Sequence, residues 1–201
     1  MDGVTIDELK KSPLYSEELD IVLLSGNEPE VFKWFLASLL FGARISEKIA
    51  RHTYRIFEKY ALLEPKTILK AGRDFLINPI MREGGYVRYD GVASNKVLKN
   101  CQALLEEYEG KLTRLHEAAR DSRDLERRLS LFPGVGPVTV NIFLRELRPV
   151  WRKADPDPLP RVLEVAENYG IELDFQDRKS VDFVRIEAGL IRLRKGKSLK
   201  H

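Results

Sequence analysis

Eleven residues in the second half of the chain have the types and spacing to bind an anion: Leu131, Phe132, Pro133, Gly134, Val135, Gly136, Pro137, Val138, Thr139, Val140 and Asn141. Two glycines flanking one apolar residue make a very tight reversal, because glycine reaches positive φ without steric cost. Pro137 suits the first position of the helix that follows, where no backbone N–H bond is lost. Val135 then tucks inward between the two helices, while the N–H groups of the turn and of the second helix's first residues point outward together. Such a terminus is an anion site, and phosphate is the obvious anion. A bare GxG also serves as a plain helical hairpin in an all-α core, so the turn alone leaves that reading open.

A second group lies downstream. Asp155 and Asp157 stand among Pro149, Pro156, Pro158 and Pro160. Asp157 followed by Pro158 reads as an N-cap and first-residue pair, which places the carboxylate at the start of a helix over residues 158–169. The helix dipole and the first-turn N–H groups then keep it ionised at neutral pH. The plain alternative is a cap with no further role.

The elements that must hold these groups are helical. Apolar periodicity predicts helices over residues 6–11, 17–24, 28–41, 47–60, 66–72, 73–81, 95–109, 112–119, 124–131, 137–147, 161–169 and 177–194. Ser16 and Ser46 are N-cap candidates, and Asp121 or Ser122 caps the first hairpin helix. The helix over 28–41 is apolar nearly all round, which means burial, and Trp34 therefore reads as core. Gly42 breaks that helix. Residues 82–91 read as a polar glycine-rich loop, and the basic run from Arg192 to His201 as a frayed end. No period-two alternation is convincing, so the fold class is all-α.

With 201 residues, 43% hydrophobic and 32% charged, the chain is long enough and apolar enough for a proper core. No apolar run reaches membrane-spanning length, and the first four residues do not open a signal peptide. Cys101 is the only cysteine, which excludes an intrachain disulfide and a four-cysteine iron–sulfur site. His52, His116 and His201 lack ligand spacing. An intracellular setting is expected: cytoplasmic, and nucleoid-associated in a prokaryote. The abundance of Lys, Arg and Glu, with Gln102 and Gln176 the only glutamines, fits a heat-adapted source. Net charge is +3, yet residues 122–153 hold seven basic and three acidic side chains, a local +4 around the turn. That is the footprint expected for DNA, although a solvated helix face explains the charges equally well.

The stretch Phe132-Pro133-Gly134-Val135-Gly136-Pro137-Val138-Thr139-Val140-Asn141, with the aspartates and prolines that follow it, resembles the signature of the helix–hairpin–helix DNA glycosylases, the endonuclease III and alkyladenine glycosylase superfamily. The resemblance implies two helical subdomains, residues 1–45 with 151–201 and residues 46–150, the hairpin over 122–148, and a cleft between them. It implies DNA contacts from Pro133, Gly134, Val135, Gly136, Pro137 and Thr139, and from Lys96, which enters its helix as in the family. Ala43 or Arg44 would stand where the family places the side chain that fills the gap left by an extruded base. The carbonyls of Phe132, Val135 and Gly136 would hold a structural Na⁺ or K⁺; no other cofactor is expected.

The resemblance also implies a catalytic aspartate a little under twenty residues past the second helix's first turn. Asp155 lies seventeen residues beyond Val138 and Asp157 nineteen, so Asp157 fits better and Asp155 stays open. Val138 occupies the position of the catalytic lysine in bifunctional members and carries no nucleophile. The expected function is therefore a monofunctional DNA N-glycosylase of base excision repair, a monomer acting on double-stranded DNA with a damaged or mispaired base. Lys153, close in sequence, reads as solvated or phosphate-facing. Tyr86, Tyr89, Trp34 and Trp151 are the aromatic rings available for stacking. The alternatives are a non-catalytic hairpin module that only binds DNA, and an all-α interaction protein without a DNA role.

Overall fold

The computed structural model describes residues 4–174 and 176–193, which hold ten α-helices and no strand. The basic run expected to fray falls mostly outside the described residues. The helices are α1 (Ile6–Leu9), α2 (Glu28–Phe41), α3 (Glu47–Lys59), α4 (Pro65–Phe75), α5 (Asp90–Tyr108), α6 (Leu112–Ala118), α7 (Ser122–Ser130), α8 (Pro137–Leu147), α9 (Pro160–Asn168) and α10 (Val181–Leu193). No described helix is long and apolar enough to cross a membrane.

Helix α2 is the axis of the core. Asn27 caps it by accepting from the Glu30 N–H. It then buries an unbroken run from Phe35 to Leu40, against α3, α6 and α8. Each fully buried Phe or Leu contributes roughly 1.5–3 kcal/mol of apolar transfer. Trp34 is wholly inside, as its pattern predicts, and its indole N–H donates to the Phe143 carbonyl at 3.1 Å, tying α2 to α8. The Glu28 carboxylate accepts from the Leu112 and Thr113 N–H groups and so caps α6.

Buried apolar side chains form two clusters. The larger joins α2 to α8 with Tyr15 and Trp151; the smaller joins α1, α9 and α10 through Leu9, Val162, Phe183, Ile186 and Leu190. Ile191 packs against both.

Several boundaries differ from the sequence reading. In place of a helix over residues 17–24 stand two short 3₁₀ turns, Glu17–Leu19 and Leu23–Ser25, with Asp20 at a left-handed φ of 56° between them. Ser16 makes no cap; its N–H is taken by Glu146. Helix α5 begins at Asp90, shortening the glycine-rich loop. Residues 76–81 form a π-helical turn interrupted at Asn78. Helix α9 starts at Pro160 with Leu159 as N-cap, so Asp157 and Pro158 lie outside it.

Candidate functional site

The turn between α7 and α8 is built as its glycines require. Gly134 has φ +70°. Val135 and Phe132 are buried in the main cluster, and Phe132 packs on Phe35 and Tyr108. Pro133, Gly134 and Pro137 face solvent. Gly136 is the N-cap of α8 and has no side chain to serve its first turn, so those N–H groups meet no capping acceptor. The Asn100 amide donates to the Pro133 carbonyl at 2.9 Å and fixes the turn on α5. One helical turn earlier, the Lys96 stem runs alongside Gly134: a Cβ there would be 3.2 Å from the Lys96 Cδ. The Lys96 ammonium has no bond or ion pair among the described residues, and burial pulls it below the usual lysine value.

Two of the three carbonyls assigned to a monovalent cation already accept backbone bonds: Phe132 from Val135 and Gly136 from Val140, each at 3.0 Å. Thr139 is only 2% exposed and faces Gly42, where an added Cβ would lie 2.1 Å from its Oγ1. It sets the approach of α2 to α8 and has no surface to offer a phosphate. Arg44 is exposed on the α2–α3 turn. Tyr86 and Trp151 are buried, Trp151 stacked on His116, whereas Tyr89 is exposed.

Only part of the local +4 reaches the surface. Asp124 is buried and takes Arg127 and Arg128; the Arg120 N–H and these two guanidinium groups hold its carboxyl far below the carboxylate range. Arg145 and Arg148 are buried. Lys153 donates to the His116 and Glu117 carbonyls at the end of α6, a C-terminal cap rather than a free cation. Arg123 and Arg152 remain exposed, as does Arg127 beside Asp124.

Asp155 and Asp157 sit on an extended segment clamped from three sides. The Asn141 amide of α8 donates to the Asp157 carbonyl at 2.8 Å. Arg178 donates to Asp155 Oδ1 at 2.9 Å, to the Pro156 carbonyl at 3.0 Å and to Asp157 Oδ1 at 3.2 Å. Buried Arg148 donates to Glu187 and to the Pro156 carbonyl, with Asp155 Oδ1 at 3.5 Å. These bonds replace the helical cap expected of Asp157. Its side chain is 94% exposed, that of Asp155 34%. Glu126 of α7 faces the same pair: burial, then the charges of Asp157 and Asp155, push its carboxyl above the usual range. Nothing in the sequence marks that placement, since Glu126 is one acid among many on a charged helix.

A cavity of about 210 Å³ opens beside the first turns of α8. Val138, Ile142, Phe41, Leu159 and Ile191 supply its apolar walls, and Tyr15, Glu47, Arg145 and Arg161 its polar groups. Val138, half exposed, stands at its rim. Tyr15 is fixed by α8, because the buried Glu146 carboxylate accepts from the Tyr15 and Ser16 N–H groups at 2.9 and 3.0 Å. Burial raises Glu146 and pushes the Tyr15 phenol up to about 12. Three guanidinium groups surround the Tyr15 ring: Arg192 at 4.3 Å, Arg51 at 5.5 Å and Arg145 at 5.6 Å. None of Tyr15, Glu47 and Arg145 was singled out from the sequence. Among the described residues no three His, Cys, Asp or Glu side chains gather at metal-binding distance.

No known family model matches the chain, and no curated protein matches it.

Proposed function

We propose that the protein is a monofunctional helix–hairpin–helix DNA glycosylase that hydrolyses the N-glycosidic bond of a base flipped out of duplex DNA. One observation carries this reading. The Gly134 turn with Lys96, which has no ion pair among the described residues, the cavity rimmed by Val138 and the Asp155–Asp157 segment all border the first two turns of α8. A phosphate grip, a recess for one ring system and a fixed carboxylate are then neighbours, as base extrusion and cleavage require.

Turn N–H groups and Lys96 hold the phosphate backbone. Extrusion costs a few kcal/mol, least for a damaged or mispaired base, and phosphate binding offsets part of it. As the glycosidic bond lengthens, positive charge grows on the deoxyribose. The exposed Asp157 carboxylate stabilises it and orients the attacking water. Asp155 is the more enclosed and is held by Arg178 and Arg148, which suits a positioning role. Valine at 138 offers no amine, so this position forms no Schiff base and the nucleophile is water.

The test is base release from duplexes carrying single deaminated, oxidised or alkylated bases, read as alkali-labile sites. Release from at least one lesion, abolished in Asp157→Asn, is expected; survival there with loss in Asp155→Asn moves the role to Asp155. Borohydride should trap no covalent adduct. The Arg178 clamp favours one rival, a module that binds DNA without chemistry, since it occupies both carboxylates. Salt-dependent duplex binding with no release from any lesion establishes that rival, and no binding at low salt refutes both.

A further inference from the structure

The cavity beside Val138 is lined by a buried arginine whose Nε–H is unspent among the described residues. Arg145 is only 3% exposed, and its Nε reaches no acceptor. Among the described residues its guanidinium makes no hydrogen bond; it lies over the face of the Tyr15 ring, and its charge acts on the buried Glu146 carboxylate. A buried donor that reaches no acceptor costs the desolvation of that group.

The nearby acids are already engaged. Glu47 lies 3.6 Å from Arg51 and accepts from the Tyr15 hydroxyl at 3.4 Å. Glu146 is taken by two backbone N–H groups, and Glu18 by Arg51 and Arg192. Arg161 adds a second cation to the cavity lining. The recess therefore offers unsatisfied donors and a surplus of positive charge between apolar walls.

Its volume of about 210 Å³ equals that of about seven waters, below the roughly 300–1,000 Å³ of pockets for drug-sized ligands. One flat ring system fits that size better than a nucleotide. A guanidinium presents donors in a planar fork that can bind the lone pairs of a ring carbonyl oxygen. A ring carrying its own positive charge meets repulsion there.

We infer that this cavity selects a neutral, carbonyl-bearing base, such as uracil, hypoxanthine or an oxidised guanine, and rejects cationic alkylated bases, with Arg145 reading the carbonyl. This rests on the glycosylase reading for its substrate, so the test has one arm that needs no catalysis.

In the first arm, wild type and Arg145→Gln act on duplexes holding a single deoxyuridine, deoxyinosine, 8-oxodeoxyguanosine or cationic N7-methyldeoxyguanosine. At least one carbonyl base should leave about tenfold or more faster than 7-methylguanine. Arg145→Gln should lose about tenfold on that duplex while binding it normally. Should the glutamine variant not fold, Arg145→Lys keeps the charge, lacks the planar fork and should show the same loss. In the second arm, free uracil, hypoxanthine and the permanently cationic N-methylpyridinium are compared by saturation-transfer NMR. The two bases should bind wild type and not Arg145→Gln, and N-methylpyridinium should bind neither. No release from any duplex, with this pattern intact, ends the glycosylase reading and leaves the selectivity standing. Release of 7-methylguanine as fast as the carbonyl bases, equal binding of N-methylpyridinium, or indifference to Arg145→Gln overturns the inference while leaving glycosylase activity to stand on the first arm.

Discussion

Replacing Arg148 by methionine tests how the aspartate segment is held. Arg148 is 1% exposed and follows α8 directly; Glu187, at 0%, comes from α10. The guanidinium donates to Glu187 Oε2 and to the Pro156 carbonyl, so one buried group joins α8, the segment and α10. Burial pulls the guanidinium down and the Glu187 charge holds it up. Arg148→Met leaves the Glu187 carboxylate inside the protein with no counter-ion, and its Oε1 already lacks a partner. Breaking a buried pair in this way costs about 3–5 kcal/mol. At 2–4 °C per kcal/mol for a chain of this size, Tm should fall by roughly 6–20 °C. Removing both charges is a different matter, because a buried pair replaced by apolar side chains of similar volume is commonly neutral. Arg148→Met with Glu187→Leu should thus recover to within about 2 kcal/mol of wild type.

Thermal and urea unfolding of the three proteins, with equal m-values, measure both quantities. A double variant as unstable as the single one refutes the reasoning, since the loss would then come from packing. A stable Arg148→Met refutes it more directly. The double variant also separates stability from positioning: it keeps the Arg178 donor to Pro156 and lacks the Arg148 one, so on the glycosylase proposal base release should fall in a well-folded protein.

Gly42→Ala would put a Cβ 2.1 Å from Thr139 Oγ1 and 2.9 Å from Thr139 Cβ, and overpacking of that kind costs about 1–3 kcal/mol. Combining it with Thr139→Ala, which removes the nearer atom, should restore at least half of that loss in urea titrations; strictly additive losses would show that α2 and α8 do not meet there. His116, stacked on Trp151, is pushed from 6.5 to about 4, first by burial and then by the Lys153 charge. Its folded value is depressed, so the unfolded chain takes the proton first: the stability is full above pH 6.5 and drains away as pH falls towards 4. His116→Phe keeps the stack and should flatten the urea midpoint across that window; an unchanged slope contradicts the assignment.

What the sequence disclosed was local. An apolar helix with no polar face had to be α2, and a GxG between two helical patterns had to reverse the chain with Val135 inside. What it concealed depended on partners far along the chain. Pro158 and Pro160 are equally good first helical residues, and local propensity does not choose between them. Tertiary bonds do: Asn141 takes the Asp157 carbonyl and Arg178 grips both aspartates, so the chain stays extended until Leu159. Counting charges failed for a related reason. Of the basic residues around the turn, two neutralise Asp124, two are buried and one caps α6, none of which a count can see.

The polar residues of α8 held more information than a count extracts. A helix with an apolar core face should place its polar residues in water, and here Thr139, Asn141, Arg145 and Glu146 are all buried. Residues seven apart return to the same side of a helix after two turns, which sorts them into stripes. Val138, Ile142 and Arg145, at i, i+4 and i+7, all line the cavity. Thr139 and Glu146, seven apart, meet Gly42 and the Tyr15–Ser16 backbone, both N-terminal to α3. Asn141 and Arg148, again seven apart, hold the Asp157 and Pro156 carbonyls. Each stripe fixes a different neighbour, and each needs burial to do so. One stripe differs in kind: Glu146, Asn141 and Arg148 each hydrogen-bond a protein partner, whereas the Arg145 guanidinium makes no hydrogen bond among the described residues. On a helix whose other buried polar side chains are spent on architecture, the unspent one is where a ligand should be sought.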